Sequence, residues 1–389
     1  MLSITDNDIK DYQSITKMKK SLLSFDRSLL NHLLFCITFC FFLFVSCNKE
    51  KDDPVDRTII VYMTADAQLS ENAAKNIKAM QGGYKEKGAN LIVYIDDPVT
   101  SQRQIQRISN NNITVLKTYA ESNSNYAYQL ETVLKDVIGM YPSESYGLVL
   151  WSHGSSWLPT TKAFGTGDNR QMNISDLAAA LPVWFDFILM DACVMGTVEV
   201  VYELRNKTDI IIASPTEVVD LGFPYKPIIN ELLKDKLDFE KVAKEYFDYY
   251  NKKEPGQNQS ATISVIKTNE LENLAAVTNQ MLGNRKFNMR TFSRNIVQRF
   301  EKDYLSCNTY DFLDFLEKAF PDADFNPLKE QIEKTLLYRA NTPRFFDEYD
   351  IETFCGLGSY IPNPDRNDYN FYYQKLDWCK ASGFDKLFQ

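Results

Sequence analysis

Short apolar runs alternate with amphipathic stretches along the chain after residue 56. Residues 146–151 and 185–190 are apolar along nearly their whole length, which predicts central strands buried on both faces. Further strands are predicted at residues 57–63, 91–95, 113–119 (an edge strand), 209–213 and 261–267. Helical spacing is present at residues 69–80, 126–140, 195–205 and 269–282, and another helix starts near 173. This alternation predicts an α/β fold, a mostly parallel sheet with helices on both faces.

The character of the chain changes beyond residue 284. Charged and aromatic segments with mainly helical patterns run to residue 337, a glycine-bearing strand is predicted at 354–361, and an aromatic helix follows. We therefore predict a sheet domain at residues 57–283. Residues 284–389 are predicted to form a mainly helical C-terminal subdomain packed on the sheet.

The first 46 residues resemble an export signal. Basic residues precede an apolar run at 33–45, which is shorter than a membrane span and matches a signal-peptide core. The run ends in FVSC at 44–47, which resembles a bacterial lipobox. Residues 1–46 are thus predicted to be a lipoprotein signal peptide, with Cys47 the lipidated residue and 47–56 a flexible tether. The alternative is an anchor that stays uncleaved.

The net charge is −9, and removal of the leader leaves it near −10. An acidic protein of this kind is a poor partner for nucleic acid and is compatible with basic substrates. The four cysteines beyond the lipobox are scattered without a CxxC pair, which argues against a zinc site. The predicted location is the bacterial cell envelope, with a lipid anchor in the outer membrane and either a periplasmic or a surface-exposed domain.

The chain has two histidines, and one of them lies in the leader. The other, His153, closes the apolar run LVLWSHG at 148–154, and Cys193 closes a second run, FILMDAC, 40 residues later. Ligands of parallel sheets bind beyond the carboxyl ends of the strands. If the two strands are neighbours, an imidazole and a thiol share one cleft and can act as base and nucleophile.

Each residue alone has a simpler explanation, since a cysteine at a strand end is usually a small buried side chain and a single histidine is usually structural. Their positions at two strand ends favour catalysis. The backbone amides of Gly154 and Cys193 are predicted to form an oxyanion hole, helped by a helix that starts directly after the cysteine. Asp191 lies two residues before Cys193, so strand alternation places both side chains on one face.

Two blocks, YPSESYGLVLWSHGSSW at 141–157 and DACVMGTVEVVYEL at 191–204, resemble the active-site blocks of the clostripain family of cysteine peptidases. The segments 61–69, 213–225 and 356–362 extend the resemblance over roughly residues 57–388. The likeness implies a caspase-like fold in which Cys193 is the nucleophile and His153 the acid/base. It also implies cleavage after Arg or Lys, with Asp191 at the base of the pocket; capping of a helix is the simpler role for that carboxylate. Asp220 and Glu217 are predicted to line the rim; the simpler explanation is that acidic residues in a loop are only solvated.

The chain departs from the family pattern at Ser152, Ser156 and Pro215. Some relatives are cut between the two blocks, and Lys162 and Arg170 are the only basic residues between Gly154 and Cys193, in a predicted exposed loop at 155–172. Self-cleavage there is a hypothesis. Calcium dependence occurs in some relatives, but no acidic cluster has EF-hand spacing, so calcium stays open and no other cofactor is expected.

The function predicted from the sequence is a cysteine endopeptidase that cleaves after Arg or Lys through a thioester acyl-enzyme. Its expected partners are basic peptides or proteins, and the membrane through the lipid. The alternative is a surface binding lipoprotein on a degenerate peptidase fold. An amidase or transpeptidase that uses the same thiol differs only in the acceptor.

Overall fold

A computed structural model describes residues 57–388 except 86–87, 110–111, 121–125, 159–163, 167–169, 235, 257 and 304–306. The predicted leader, the tether, Cys47 and Lys162 lie outside the described residues. All described residues belong to one compact unit. None of the helices among them is both long and apolar enough to cross a membrane.

Fifteen strands are described, nine of them in one sheet. The strands are β1 (Arg57–Thr64), β2 (Ala89–Asp97), β3 (Gln102–Ile108), β4 (Ile113–Thr118), β5 (Ser145–Trp151), β6 (Phe164–Thr166), β7 (Arg170–Met172), β8 (Phe185–Asp191), β9 (Thr208–Ala213), β10 (Thr262–Lys267), β11 (Tyr310–Asp311), β12 (Leu336–Asn341), β13 (Arg344–Phe345), β14 (Tyr349–Asp350) and β15 (Gly358–Ser359). The order in the main sheet is β12-β10-β9-β8-β5-β1-β2-β3-β4.

Eleven α-helices are described. They are α1 (Ser70–Gly83), α2 (Tyr126–Met140), α3 (Ile174–Ala180), α4 (Val198–Glu203), α5 (Tyr225–Leu232), α6 (Phe239–Asn251), α7 (Leu271–Leu282), α8 (Phe312–Ala319), α9 (Asn326–Thr335), α10 (Asn367–Tyr373) and α11 (Asp377–Ala381). Residues from α1, α5 and α6 form a hydrophobic core on one face of the sheet. Residues from the other helices form a core on the opposite face.

The predicted fold class is confirmed. The five central strands, from β9 to β2, pair in parallel, and two strands on each side add antiparallel pairs. Side chains of β5 and β8 that face either core are buried, as their nearly continuous apolar sequences predict. Strand β4 is at the edge, as predicted.

Strand β3 and helices α5 and α6 are among the elements that were not predicted. Strand β3 reads QRQIQRI and has only three buried residues, so its polar composition hides it. Helices α5 and α6 follow the second active-site block and were not recognised. Their buried residues include four aromatic or acidic side chains, Tyr225, Glu231, Tyr246 and Tyr250.

The predicted mainly helical course of residues 284–337 is wrong in two places. The described residues of 284–311 contain only a 3-10 helix, Arg294–Ile296, and strand β11. The rings of Phe287 and Phe292 in this irregular stretch pack against Phe315. Helix α9 ends at Thr335, and the chain continues directly into β12.

The part of the chain after residue 283 contributes to the main sheet itself. Strand β12 pairs antiparallel with β10, so the C-terminal part of the chain supplies an edge strand of the main sheet. The same part is tied to α4, since the buried Glu199 accepts hydrogen bonds from Tyr360 N (2.9 Å) and the Tyr373 hydroxyl (2.8 Å). The predicted strand at 354–361 is reduced to β15, which pairs with β11.

Candidate active site

The parallel pairing of β5 with β8 brings the two candidate residues together. Trp151 is paired with Asp191 at the carboxyl ends of these strands, and Ser152 N continues the pairing with a 3.3 Å hydrogen bond to Asp191 O. His153 and Cys193 each follow two residues after that pair. The expectation that the two strands are neighbours is confirmed.

Gly154 allows the two strand ends to approach. A Cβ atom at this position would lie 2.4 Å from Cys193 O and 2.9 Å from Cys193 N. Real side chains do not tolerate such contacts, so only glycine fits here. The residue after the histidine therefore lies directly against the peptide of the cysteine.

The Cys193 thiol is half-buried and contacts the backbone of Val218. Val218 N donates to Sγ at 3.3 Å, and the thiol lies 3.8 Å from Val218 O. Burial raises the pKa of Cys193 to about 12; the Val218 amide opposes the rise, and Glu217, Asp191 and Asp220 add to it. Burial and the nearby carboxylates therefore disfavour the thiolate in this conformation.

The helix predicted at 195–205 begins later than expected. Helix α4 starts at Val198, and Gly196 N instead donates to Ser214 O at 2.8 Å. The expected help from a helix that starts directly after Cys193 is therefore wrong. The backbone beyond the cysteine pairs with the segment that follows β9.

Val194, directly after the cysteine, has an unusual backbone conformation. Its φ is +53°, in the left-handed region that β-branched residues rarely adopt. A hydrogen bond from Val194 N to Thr216 O at 2.8 Å holds it there. The cost of this conformation is about 1–2 kcal/mol. The surrounding structure thus imposes strain next to the thiol.

His153 has a partner that the sequence reasoning missed. Its Nε2 lies 2.9 Å from Oδ2 of Asp66, which follows β1 at the same edge of the sheet. The other carboxylate oxygen, Oδ1, accepts from Gln68 N (3.0 Å) and Leu69 N (3.1 Å). A signal was present, since Asp66 lies within the 61–69 segment that resembles the family and follows a buried strand.

Asp191 is 4% exposed and lies beneath the loop that precedes α5. Its Oδ2 accepts from the Tyr225 hydroxyl at 2.7 Å and from Phe223 N at 3.1 Å. Burial raises the pKa of Asp191 to about 6, although both hydrogen bonds lower it. Gly222, at φ +67°, leaves room for the carboxylate, because a Cβ there would be 2.6 Å from Oδ2. The simpler role, a carboxylate that caps the helix after Cys193, does not match these contacts, because both donors belong to residues 223–225 and not to α4.

The two predicted rim carboxylates have different surroundings. Asp220 is exposed. Glu217 is partly buried: Oε1 accepts from Lys302 N at 3.0 Å, and Oε2 has no hydrogen-bond partner among the described residues. Burial raises the pKa of Glu217. Asp220 is thus the carboxylate that solvent reaches.

The predicted exposed loop at 155–172 contains ordered structure. Strands β6 and β7 form a hairpin, and Phe164 at its start is fully buried and bridged to Gly154. Arg170 is the first residue of β7, paired with Thr166. The expectation of an exposed loop is wrong at Phe164, and Gly165 N donates to His153 O at 3.2 Å, so β6 lies beside the histidine.

Four cysteines are described, and none of them forms a disulfide: Cys193, Cys307, Cys355 and Cys379 are free thiols. Within the described ranges, no group of three or more His, Cys, Asp or Glu side chains is placed to hold a metal ion. The described residues therefore offer no candidate ligand set for calcium, and the question of calcium dependence stays open.

A thiol and an imidazole at the ends of neighbouring parallel strands, beside a buried carboxylate, are typical of cysteine peptidases. The sequence model described as the clostripain family matches residues 61–380, and the chain belongs to that family. Clostripain of Hathewaya histolytica is 25% identical over 229 residues, which are 48% of this chain and 43% of that protein. The chain thus spans less than half the length of this curated relative.

Two solved structures cover 85% of this chain and 99% of their own. An inactive zymogen of a C11 protease from Parabacteroides distasonis is 31% identical, with a TM-score of 0.76. A secreted C11 cysteine protease from Bacteroides thetaiotaomicron, in complex with an irreversible peptide inhibitor, is 29% identical, with a TM-score of 0.74.

Asp191→Asn is expected to stabilise the protein at pH 7.5 by about 2–3 kcal/mol, because the ionised carboxylate is desolvated while an amide oxygen still accepts from Tyr225 and Phe223. Since the folded pKa, about 6, lies above the ordinary value, 3.8, wild type gains stability as the pH falls from 6 to 4, and the difference shrinks. Denaturant unfolding at several pH values measures it. Asp220→Asn, at an exposed position, is the control; an equal effect there contradicts the prediction.

Val194→Gly is expected to be more stable than Val194→Ala by about 1 kcal/mol, because only glycine adopts a positive φ without strain. The measurement is the free energy of unfolding of the two variants. The same pair at Val201, inside α4, should show the opposite order. If alanine is also the more stable at 194, the positive φ is not a source of strain.

Proposed function

We propose that this protein is a cysteine endopeptidase that cleaves peptide bonds after Lys or Arg. The observation that carries the proposal is the β5–β8 register. Because Trp151 pairs with Asp191 at the strand ends, His153 and Cys193 each lie two residues beyond this pair, and the buried carboxylate of Asp191 lies two residues before the thiol. Membership of the clostripain family supports the same activity.

The reaction proceeds in two steps. The Cys193 sulfur, after transfer of its proton to His153, attacks the carbonyl carbon of the scissile bond. His153 then gives the proton to the leaving amine, and a thioester remains. Water, deprotonated by His153, attacks the thioester, and the acid product leaves as the thiol is restored.

The amides of Gly154 and Cys193 stabilise the oxyanion. Gly154 faces Phe164 in a bridge whose hydrogen bond runs from Gly165 N to His153 O, so this bond does not use the Gly154 amide. The position of a Cβ on Gly154, 2.9 Å from Cys193 N, indicates that the two residues are close. Two donors directed at one oxygen are the usual means of stabilising a tetrahedral intermediate.

Asp191 and Asp220 account for the basic specificity. Asp191 is buried, so its charge is little screened, and a Lys or Arg side chain that reaches it compensates the cost of burial. Asp220 is exposed and contributes electrostatically at Cys193, which places negative charge near the entrance. Both carboxylates favour a cation before the scissile bond.

The described conformation supports a latent form that self-cleavage activates. The Cys193 sulfur accepts from Val218 N, and the raised pKa of the thiol disfavours the thiolate, so movement of this segment would favour attack. Of the two candidate sites, Arg170 lies in a paired hairpin, and cleavage after it requires the hairpin to open. Cleavage after Lys162 leaves the hairpin whole. We therefore favour Lys162.

Export through residues 1–46 and lipidation of Cys47 complete the proposal. The apolar run and the FVSC sequence support them. A secreted relative of known structure is consistent with export. The anchored enzyme would act on basic peptides or proteins at the cell envelope.

Cys193→Ala should abolish cleavage of Lys and Arg reporter peptides, because none of the other three described thiols lies at the end of β5 or β8. His153→Ala should lower kcat by about 10³-fold with the fold retained. Reporter hydrolysis is the measurement, and circular dichroism checks folding. Cys379→Ala, a buried thiol in the opposite core, is the matched control. Full activity of the Cys193 variant would sink the proposal and favour a binding protein on a peptidase fold.

Wild-type protein kept under active conditions should acquire a new amino terminus at Ala163. Intact mass and N-terminal sequencing identify the cut. It should disappear in Lys162→Ala and in Cys193→Ala, and persist in Arg170→Ala. A terminus at Gln171, or a fully active chain that remains whole, contradicts processing after Lys162.

A further inference from the structure

Asp66 and His153 lie at the carboxyl ends of β1 and β5, which pair in parallel. The Nε2–Oδ2 distance of 2.9 Å is that of a hydrogen bond between an imidazole and a carboxylate. We propose that Asp66 is a positioning residue that fixes the tautomer and orientation of His153. This inference rests on the proposed function of His153 as the base.

The carboxylate of Asp66 is itself fixed by the backbone. Oδ1 accepts the amides of Gln68 and Leu69, directly before α1, so rotation of the side chain would cost both bonds. Oδ2 is thereby directed at the histidine. A carboxylate held by two main-chain amides is a rigid acceptor.

The two strand ends are also linked beside this pair. The Thr64 hydroxyl donates to Ser152 Oγ at 2.8 Å, and Ser152 Oγ donates to Thr64 O at 3.1 Å. Both residues are buried. Ser152 directly precedes His153, and Thr64 lies two residues before Asp66. Hence the backbone that carries Asp66 and the backbone that carries His153 are held in one register. Ser152, a departure from the family pattern, takes part in this link.

The direction of the hydrogen bond decides the tautomer. An ionised carboxylate only accepts, so Nε2 must carry the proton. In neutral imidazole, Nδ1 is then the unprotonated nitrogen and the one able to accept the proton of Cys193. After that transfer, the carboxylate stabilises the imidazolium, as in a serine-peptidase triad.

Asp66→Asn is the informative change because the backbone predicts which way the new amide points. The amides of Gln68 and Leu69 require an acceptor, so the Asn oxygen takes the place of Oδ1. Its NH₂ group then faces Nε2 and donates to it. This arrangement forces the proton to Nδ1, which is the wrong tautomer for a base at that atom.

The test is ¹⁵N NMR of the full chain labelled at histidine, at neutral pH. The chain has two histidines, and His153→Ala assigns the signals. We expect the Nε2–H tautomer of His153 in wild type and the Nδ1–H tautomer in Asp66→Asn. A wild-type Nδ1–H tautomer, or an unchanged tautomer in the variant, overturns the inference. The wild-type spectrum decides even if the variant fails to fold.

Reporter kinetics give the second readout. Asp66→Asn should lower kcat by about 10³-fold with KM changed less than about threefold, because substrate contacts remain. Asp238→Asn is the matched control, since Asp238 caps α6 through Lys241 N and has no histidine partner; its activity should be unchanged. A tautomer change without loss of kcat overturns the positioning role. If the proposed function itself fails, wild type shows no Cys193-dependent cleavage, while the NMR result still stands.

Discussion

The parallel pairing of β5 with β8 is the constraint on which the rest of the site depends. A match between Trp151 and Asp191 sets the register, and a slip by one residue would turn Cys193 to the opposite face. The pairing is secured by burial on both faces of the sheet rather than by any contact in the site. Gly154 then permits the two strand ends to come together. The large apolar core thus positions a few polar atoms at its edge.

Several local features oppose stability at this edge. Asp191 is a carboxylate without a cation among the described residues, and Val194 adopts a strained conformation directly after the thiol. Oε2 of Glu217 is also buried and has no hydrogen-bond partner among the described residues. Such costs accumulate where a site is arranged for a ligand or a reaction. The fold tolerates these costs because the hydrophobic cores on both faces of the sheet are extensive.

The fold was largely predictable because its central strands are buried on both faces and so read as apolar runs, as in LVLW before His153. The same signal located His153, Cys193 and Asp191. The signal did not reveal the strands that are defined mainly by pairing with a neighbour. Strand β3 has a polar sequence, and β12 begins directly after α9 with no turn residues between them. Asp66 follows a buried strand within the 61–69 segment, but its contact with His153 depends on the pairing of β1 with β5, which that signal does not reveal. The late start of α4 likewise results from backbone pairing of Gly196 with Ser214.

One segment, residues 214–225, contacts both halves of the site. Val218 holds the Cys193 sulfur, and Phe223 and Tyr225 hold Oδ2 of Asp191. A displacement that frees the thiol therefore also disturbs the carboxylate, because the two sets of contacts are only five residues apart. Conversely, a cation bound at Asp191 would neutralise the carboxylate that Phe223 and Tyr225 contact, and so would shift the equilibrium between conformations of this segment. The surroundings of Cys193 and Asp191 are thus mechanically linked, and a movement of this segment that frees the thiol also changes the contacts of the carboxylate.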